Sequence, residues 1–310
     1  MFKSLKLISS NLERYLLNFK HSLKGFYQLK NNNFEVKFIH EGDIVIKLPK
    51  INLIEGMTIR RSLLNKQIDF KLRPISETLL RKIIFHLYDI NYIDKKKSVV
   101  DIGCWIGDNA LVWAKLLKER GSVFAIDPSH ENIMFGQTVC NQNNITNIKW
   151  VNAVCSSKVG IPLSFSGKLD HAVFEETNKT QFSLLSNTLD NIVGYKFHNQ
   201  ISLMHVDVEG FEERVLKGAS AIIKKSKPII VFEQHISRDN VMSLISYLES
   251  ENYTIFLINE VIPNCELDCR NFIAFNNEKG LPSKYKIEHK HGRKNDIFYA
   301  TLGDALIAIN

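Results

Sequence analysis

Long apolar runs are missing from this 310-residue chain: nothing approaches the roughly 20 consecutive apolar residues that a membrane-spanning helix needs. The amino terminus also lacks the apolar core of a secretory leader. Cysteine is scarce. Cys104, Cys140, Cys155, Cys265 and Cys269 are odd in number and scattered, which excludes a disulfide-stapled secreted scaffold and predicts reduced thiols of a cytoplasmic protein. Cys265 and Cys269 have no second pair and no histidine close by in sequence, so they make a poor zinc site. Internal repeats are absent, which removes solenoids and propellers.

What is present is an ordinary globular composition, 45% hydrophobic and 24% charged, enough to bury a sizeable core. The net charge of +7 is spread along the chain among Asn and Ile residues. It therefore reads as a solvated surface before it reads as a polyanion-binding face.

The chain divides into three parts: an extension over 1–72, a main domain over 73–279 and a tail over 280–310. Leu5, Ile8, Leu12, Leu16, Phe19, Leu23 and Phe26 recur three or four apart with Lys and Arg between them, as in a basic amphipathic helix or helix pair. Such a helix suits docking on the protein's own body or on a second subunit better than an anionic membrane surface. Residues 34–48 alternate as a small hairpin would around Glu41-Gly42-Asp43. After Pro74, Leu79, Leu80, Ile83, Ile84 and Leu87 form the apolar stripe of a helix.

From there strand and helix alternate, which predicts an α/β fold with a parallel sheet covered on both faces. The core strands are expected at 98–102, 123–126, 148–154, 203–208 and 228–232, with a helix at 240–249. Two last strands, 253–258 and 271–275, are too closely connected for a crossover helix and are therefore expected to be antiparallel.

The stretch around which this order turns is Leu203-Met204-His205-Val206-Asp207-Val208-Glu209-Gly210-Phe211-Glu212. Apolar residues reach two carboxylates two positions apart, and a helix follows. Side chains two apart on a strand share a face, so Asp207 and Glu209 project together from the carboxyl end, where open α/β sheets bind ligands. If the next core strand is its neighbour, Glu233 and His235 join them. Such a cluster of acids needs a cation, a metal or hydrogen-bond donors to be tolerated, because like charges in a cleft raise one another's pKa.

At the first core strand, Asp101, Gly103, Trp105 and Gly107 form a strand-loop-helix turn in which glycine would let a ligand approach the backbone. About 20 residues on, Asp127 ends the second strand and could accept both hydroxyls of a ribose. Asn152 and Ala153, at the end of the third, would border an adenine ring.

Together these pieces resemble the FkbM family of S-adenosylmethionine-dependent methyltransferases over residues 75–278. The likeness rests on Val100-Asp101-Ile102-Gly103 with Gly107, Ala125-Ile126-Asp127-Pro128, Ala153-Val154 with Gly160, Thr188-Leu189-Asp190, the Val206–Glu212 signature with Val215–Ala219, and Pro228–Glu233. Cys104-Trp105 stands where the family usually has Ala-Asn.

The resemblance implies a Rossmann-like class I methyltransferase sheet with an antiparallel last strand, S-adenosyl-L-methionine as cofactor, and O-methylation of a sugar, glycan or small natural product. Asp101, Gly103, Trp105, Gly107, Asp127, Asn152 and Ala153 would then hold the donor. Asp207, Glu209, Glu233 and His235 would be catalytic, with His235 the first candidate for general base. No metal is assigned; a divalent ion between Asp207, Glu209 and Glu233 is the alternative.

A nicotinamide-dependent oxidoreductase shares the first two strand ends but wants a closer glycine trio. A nucleic-acid substrate is disfavoured, because no aromatic, proline-containing tetrapeptide follows the fourth strand to stack on a flipped base. A non-enzymatic binding protein is the remaining alternative.

Overall fold

The computed structural model describes residues 34–37, 44–48, 77–118, 120–166, 173–176, 184–236, 239–260, 268–282 and 305–309. The amphipathic segment expected over 1–30 lies outside them. Strands β1 (Phe34–Lys37) and β2 (Val45–Leu48) pair antiparallel as the hairpin pattern predicts. Ile46 and Leu48 of β2 are fully buried in the same apolar cluster as the main helices.

The main sheet is built from β3 (Ser98–Ile102), β4 (Val123–Asp127), β5 (Ile148–Asn152), β10 (Ile201–Val206), β11 (Ile229–His235), β12 (Tyr253–Ile258), β13 (Cys269–Asn276) and β14 (Leu306–Ala308), in the order β14-β12-β13-β11-β10-β3-β4-β5. The five strands from β11 to β5 are parallel neighbours. Strand β13 runs antiparallel between β11 and β12. The expected mostly parallel sheet with an antiparallel late strand is thus present. Every residue of β3, β4 and β10 is buried, which explains their near-continuous apolar runs: both faces are covered.

One face carries α1 (Thr78–Asp89), α2 (Asp108–Leu117) and α3 (His130–Asn143), whose Leu80, Ile84, Leu111, Trp113 and Val139 join Val99, Leu203 and Val231 of the sheet. The other carries α4 (Leu189–Val193), α5 (Glu212–Lys217), α6 (Ser220–Ser226) and α7 (Val241–Ser250), packed on Val100, Met204, Val206 and Phe232. The hairpin is tied to the first layer by Asn143, whose side chain accepts from Lys47 N and donates to Lys47 O, both at 2.7 Å.

Two features differ from the sequence reading. The third core strand, expected to run to Val154, stops at Asn152, and β6 (Val154–Cys155) leaves for a second sheet with β7 (Pro162–Ser166), β8 (Val173–Glu176) and β9 (Leu184–Asn187), in the order β6-β9-β7-β8. These strands are two to five residues long and lie against exposed surface at Leu184 and Leu185, so no sustained alternation announces them. The tail supplies β14, which adds to the sheet edge antiparallel to β12.

Thr188-Leu189-Asp190, one of the family pieces, has a local structural role. The Asp190 carboxylate accepts from Ala221 N at 2.9 Å and Ile222 N at 3.0 Å, capping α6, while Thr188 Oγ1 caps α4. Asp190→Ala is expected to cost about 1–2 kcal/mol of stability, read as a lower urea midpoint with an unchanged slope. No helix among the described residues is long and apolar enough to cross a membrane.

Candidate active site

The carboxyl ends of β3, β4 and β5 meet around Asp127. Its Oδ1 accepts from Ser129 N at 2.8 Å and Asn132 Nδ2 at 3.0 Å, and its Oδ2 accepts from Trp105 N at 2.9 Å. Asn152 Nδ2 donates to the carbonyls of Asp127 and Pro128 at 3.0 and 2.8 Å, and Ala153 N donates to Asp127 O at 3.2 Å. Gly103, Trp105, Gly107, Asp127, Asn152 and Ala153 are therefore brought together, as the sequence predicts.

The reason for the glycines is different from the expected one. Gly103 sits at φ +73°, and a Cβ there would lie 1.6 Å from the carbonyl oxygen of Asp207. At Gly107, φ +82°, it would lie 2.3 Å from the Trp150 ring. Both glycines allow contact with the chain's own atoms, and the N–H groups of Gly103 and Gly107 donate to Ile126 O and Cys104 O. Trp105 adopts φ +47° without being glycine. That backbone is strained by about 1–3 kcal/mol, and such strain gathers at functional sites.

Asp101 lies inside β3 and is 1% exposed. Its Oδ1 pairs with His205 Nδ1 at 2.9 Å, and its Oδ2 is buried with no hydrogen-bond partner among the described residues.

The second group stands on β10 and β11. Val206 and Phe232 are register partners, so Asp207, just past the end of β10, and Glu233, still on β11, stand side by side. Glu209 follows at φ +54°, a second left-handed non-glycine, and its Oε2 reaches His235 Nε2 at 3.1 Å. Glu233 Oε2 is 3.9 Å from the same nitrogen, and Asp268 Oδ2 is 3.3 Å from His235 Nδ1. All four predicted catalytic residues thus converge. Burial pushes Asp207 up to about 6, against the pull of the nearby His205 charge. Burial and then the charge of Asp207 hold Glu233 well above the usual carboxylate range. The two acids are hydrogen-bonded to each other. One proton shared by the pair resolves the like-charge conflict, and burial with the charge of Asp207 shifts Glu233 toward holding it.

Sequence reasoning missed the polar layer over this pair. Glu77 caps α1 at φ +50°, is 5% exposed, and accepts from Asn109 Nδ2 at 3.2 Å and Asn271 Nδ2 at 3.3 Å. Arg81 donates to Asn109 Oδ1 at 2.8 Å and lies 3.7 Å from Glu77. The available signals were an arginine set inside the apolar stripe of α1 and a histidine inside the buried run of β10.

Glu233, His235 and Cys269 bring ligand-type atoms within 4.8 Å of one another. Cys269, however, is disulfide-bonded, which corrects the expectation of reduced thiols there and leaves its sulfur no thiolate to offer a metal. Cys104, Cys140 and Cys155 are free and buried.

The model of the FkbM methyltransferase domain matches residues 101–255, half of the 310-residue chain. The chain belongs to the FkbM methyltransferase family. Membership brings S-adenosyl-L-methionine as the cofactor, in keeping with the sheet order and the loop after β3. Among solved structures, the chain is similar to methyltransferase FkbM from Methylobacillus flagellatus at 16% identity and TM-score 0.44, covering 71% of this chain and 56% of that one. A SAM-dependent methyltransferase from Aquifex aeolicus is similar at 13% identity and TM-score 0.38, with 67% and 95% covered. PKMT2 from Rickettsia typhi in complex with AdoHcy is similar at 16% identity and TM-score 0.28, with 46% and 22% covered. The assignment rests on the domain match, since none of these likenesses reaches a TM-score of 0.5. Among curated proteins no sequence matches.

Proposed function

We propose that this FkbM-family protein is an O-methyltransferase that methylates a hydroxyl of a sugar, a glycan or a small natural product. The observation that carries the reading is the meeting of two groups at one point. The loop holding Gly103 touches Asp207 directly, so the ends of β3, β4 and β5 adjoin the Asp207, Glu209, Glu233 and His235 cluster.

The residues present fit the donor. Asp127, held at the end of β4 by Trp105 N, Ser129 N and Asn132 Nδ2, would take the ribose. Asp101, enclosed at the end of β3 and paired with His205, would support the donor loop from beneath. Trp105 and Gly107 shape the loop, and Asn152 and Ala153 border the adenine. When bound, S-adenosyl-L-methionine supplies an electrophilic methyl carbon on a sulfonium.

The rest is positioning and proton transfer. In-line displacement needs the acceptor oxygen placed and aligned, which contributes more than any covalent chemistry by the protein. Asp268 holds His235 at Nδ1, where the imidazole keeps its N–H; with the acceptor hydroxyl inserted between Glu209 and Nε2, that nitrogen takes the hydroxyl proton as the new C–O bond forms, and Glu209 beside it stabilises the imidazolium. Glu233 gives its one O–H to Asp207, and Asp207 orients the acceptor by accepting from a neighbouring hydroxyl with its remaining lone pairs.

Calorimetry with S-adenosylmethionine and its demethylated product tests the first half of the reading, and both should release or absorb heat. Methyl-labelled donor incubated with a panel of glycans, lipid-linked sugars and hydroxylated metabolites, read by mass, tests the second. Heat for nicotinamide dinucleotide alone would replace this reading with an oxidoreductase, and labelling of an amine would overturn O-methylation.

A further inference from the structure

Glu212 is 2% exposed, yet nothing in the proposed chemistry uses it. Its Oε1 accepts from Val208 N at 3.0 Å and from Gly210 N at 3.2 Å, the two peptide groups on either side of the strained Glu209. Its Oε2 accepts from Gln234 Nε2 at 3.0 Å. Gln234 lies on β11 between Glu233 and His235, is 3% exposed, and also donates to Glu233 O at 3.0 Å. One buried carboxylate therefore joins the loop after β10 to the end of β11.

We propose that Glu212 is the positioning residue that sets Glu209 against His235, by fixing those two segments to each other. The inference rests on the reading of Glu209 and His235 as a working pair. A buried carboxylate is expensive: burial, with the charge of Asp207 adding, pushes Glu212 up to about 7 even though the Val208 and Gly210 N–H groups pull it down. A group held at that cost beside a left-handed Glu209 is better explained by the geometry it imposes than by stability. An apolar residue would pack there more cheaply but would leave the Val208 and Gly210 N–H groups and the Gln234 amide without acceptors.

The contact is specific to acceptor oxygens on both arms. An amide introduced at 212 satisfies both sides only if Gln234 turns its own amide over, which would set its oxygen against the Glu233 carbonyl that its Nε2 now serves at 3.0 Å. Glu212→Gln thus keeps the shape and breaks the tie.

The test uses the full chain with 15N-labelled histidine and reads the His235 Nε2 resonance, with binding of S-adenosylhomocysteine and the melting temperature followed in parallel. Glu212→Gln is expected to move that resonance to the position it takes in Glu209→Gln and to leave S-adenosylhomocysteine binding unchanged. Asp190→Ala serves as a control that lowers stability without touching the site, and the resonance should not move in it. Should Glu212→Gln not fold, Gln234→Ala cuts only the arm to β11 and should give the same displacement. A His235 resonance that stays at its wild-type position in Glu212→Gln, or in Gln234→Ala if the former is unfolded, overturns the proposal. Absence of S-adenosylhomocysteine binding in the wild type would remove the methyltransferase reading while leaving the resonance comparison intact.

Discussion

Asp207→Asn is expected to lower methyl transfer by about 10²–10⁴-fold with the fold intact. Asp207 stands where the two halves of the site touch: its carbonyl lies against Gly103 and its carboxylate shares a proton with Glu233. An amide there cannot carry the charge that orients the acceptor, and it presents an NH2 where Glu233 now donates. Stability should move the other way. Removing the Asp207 charge relieves its repulsion with Glu77 and Glu209, so the melting temperature should stay level or rise. Single-turnover rates with the acceptor identified by labelling, beside a circular-dichroism melt, check both halves. Glu233→Gln provides the contrast: Glu233 is held protonated by burial and by Asp207, so a neutral side chain should lose less. Full turnover in Asp207→Asn would take this residue out of the mechanism.

How much of this site the sequence disclosed depends on distance along the chain. Asp207 and Glu209 could be placed because alternation within one strand is local. Their meeting with Glu233 and His235 could be placed because parallel strands joined by a helical crossover follow few topologies. Asp127 with Asn152 and Ala153 followed from the same logic.

The polar layer of Glu77, Arg81, Asn109 and Asn271 could not be reached this way, since its hydrogen bonds span 32 residues from Glu77 to Asn109 and 194 to Asn271. Alternation and helical period report which face a residue occupies, and they do not report which helix lies above that face. The second sheet was hidden for another reason: its strands are short and partly exposed, so their pattern resembles that of loops. The role of Gly103 illustrates a third kind of gap. The residue type was informative, but only the structure shows that what comes close is Asp207 rather than a ligand.

The buried pair beneath the site gives the second large effect. His205→Leu is expected to destabilise the protein by about 3–5 kcal/mol, because it leaves Asp101 ionisable in the core without its partner. His205 Nδ1 and Asp101 Oδ1 are 2.9 Å apart, both side chains are nearly inaccessible, and the Trp113 ring packs edge-on to the imidazole at 5.3 Å between centroids. Burial alone would lower the pKa of His205. The hydrogen bond and charge of Asp101, with Glu77 and Asp207 adding, outweigh it and raise the imidazole to about 9. On Asp101 the balance is reversed: burial raises it more than His205 lowers it. Both shifts nevertheless act in the same direction on stability, since in each case the native state binds its proton more tightly than the unfolded chain does.

For His205 the folded pKa lies above the unfolded 6.5, so its contribution is fully present below 6.5 and is lost as pH rises through about 9. Within that window the slope is up to about 1.4 kcal/mol per pH unit for this one group. Asp207, raised to about 6, and Glu212, raised to about 7, extend the same trend toward lower pH. Stability should therefore be greatest on the acid side of neutrality and decline toward pH 9. Urea midpoints of the wild type and His205→Leu at pH 6.5, 7.5 and 9 separate the histidine from the acids. The wild type should weaken steadily, and the variant should begin lower and change less above pH 7.5. A wild-type midpoint that is level across this window would mean that the imidazole is neutral in the folded protein and that Asp101 keeps the proton of the pair.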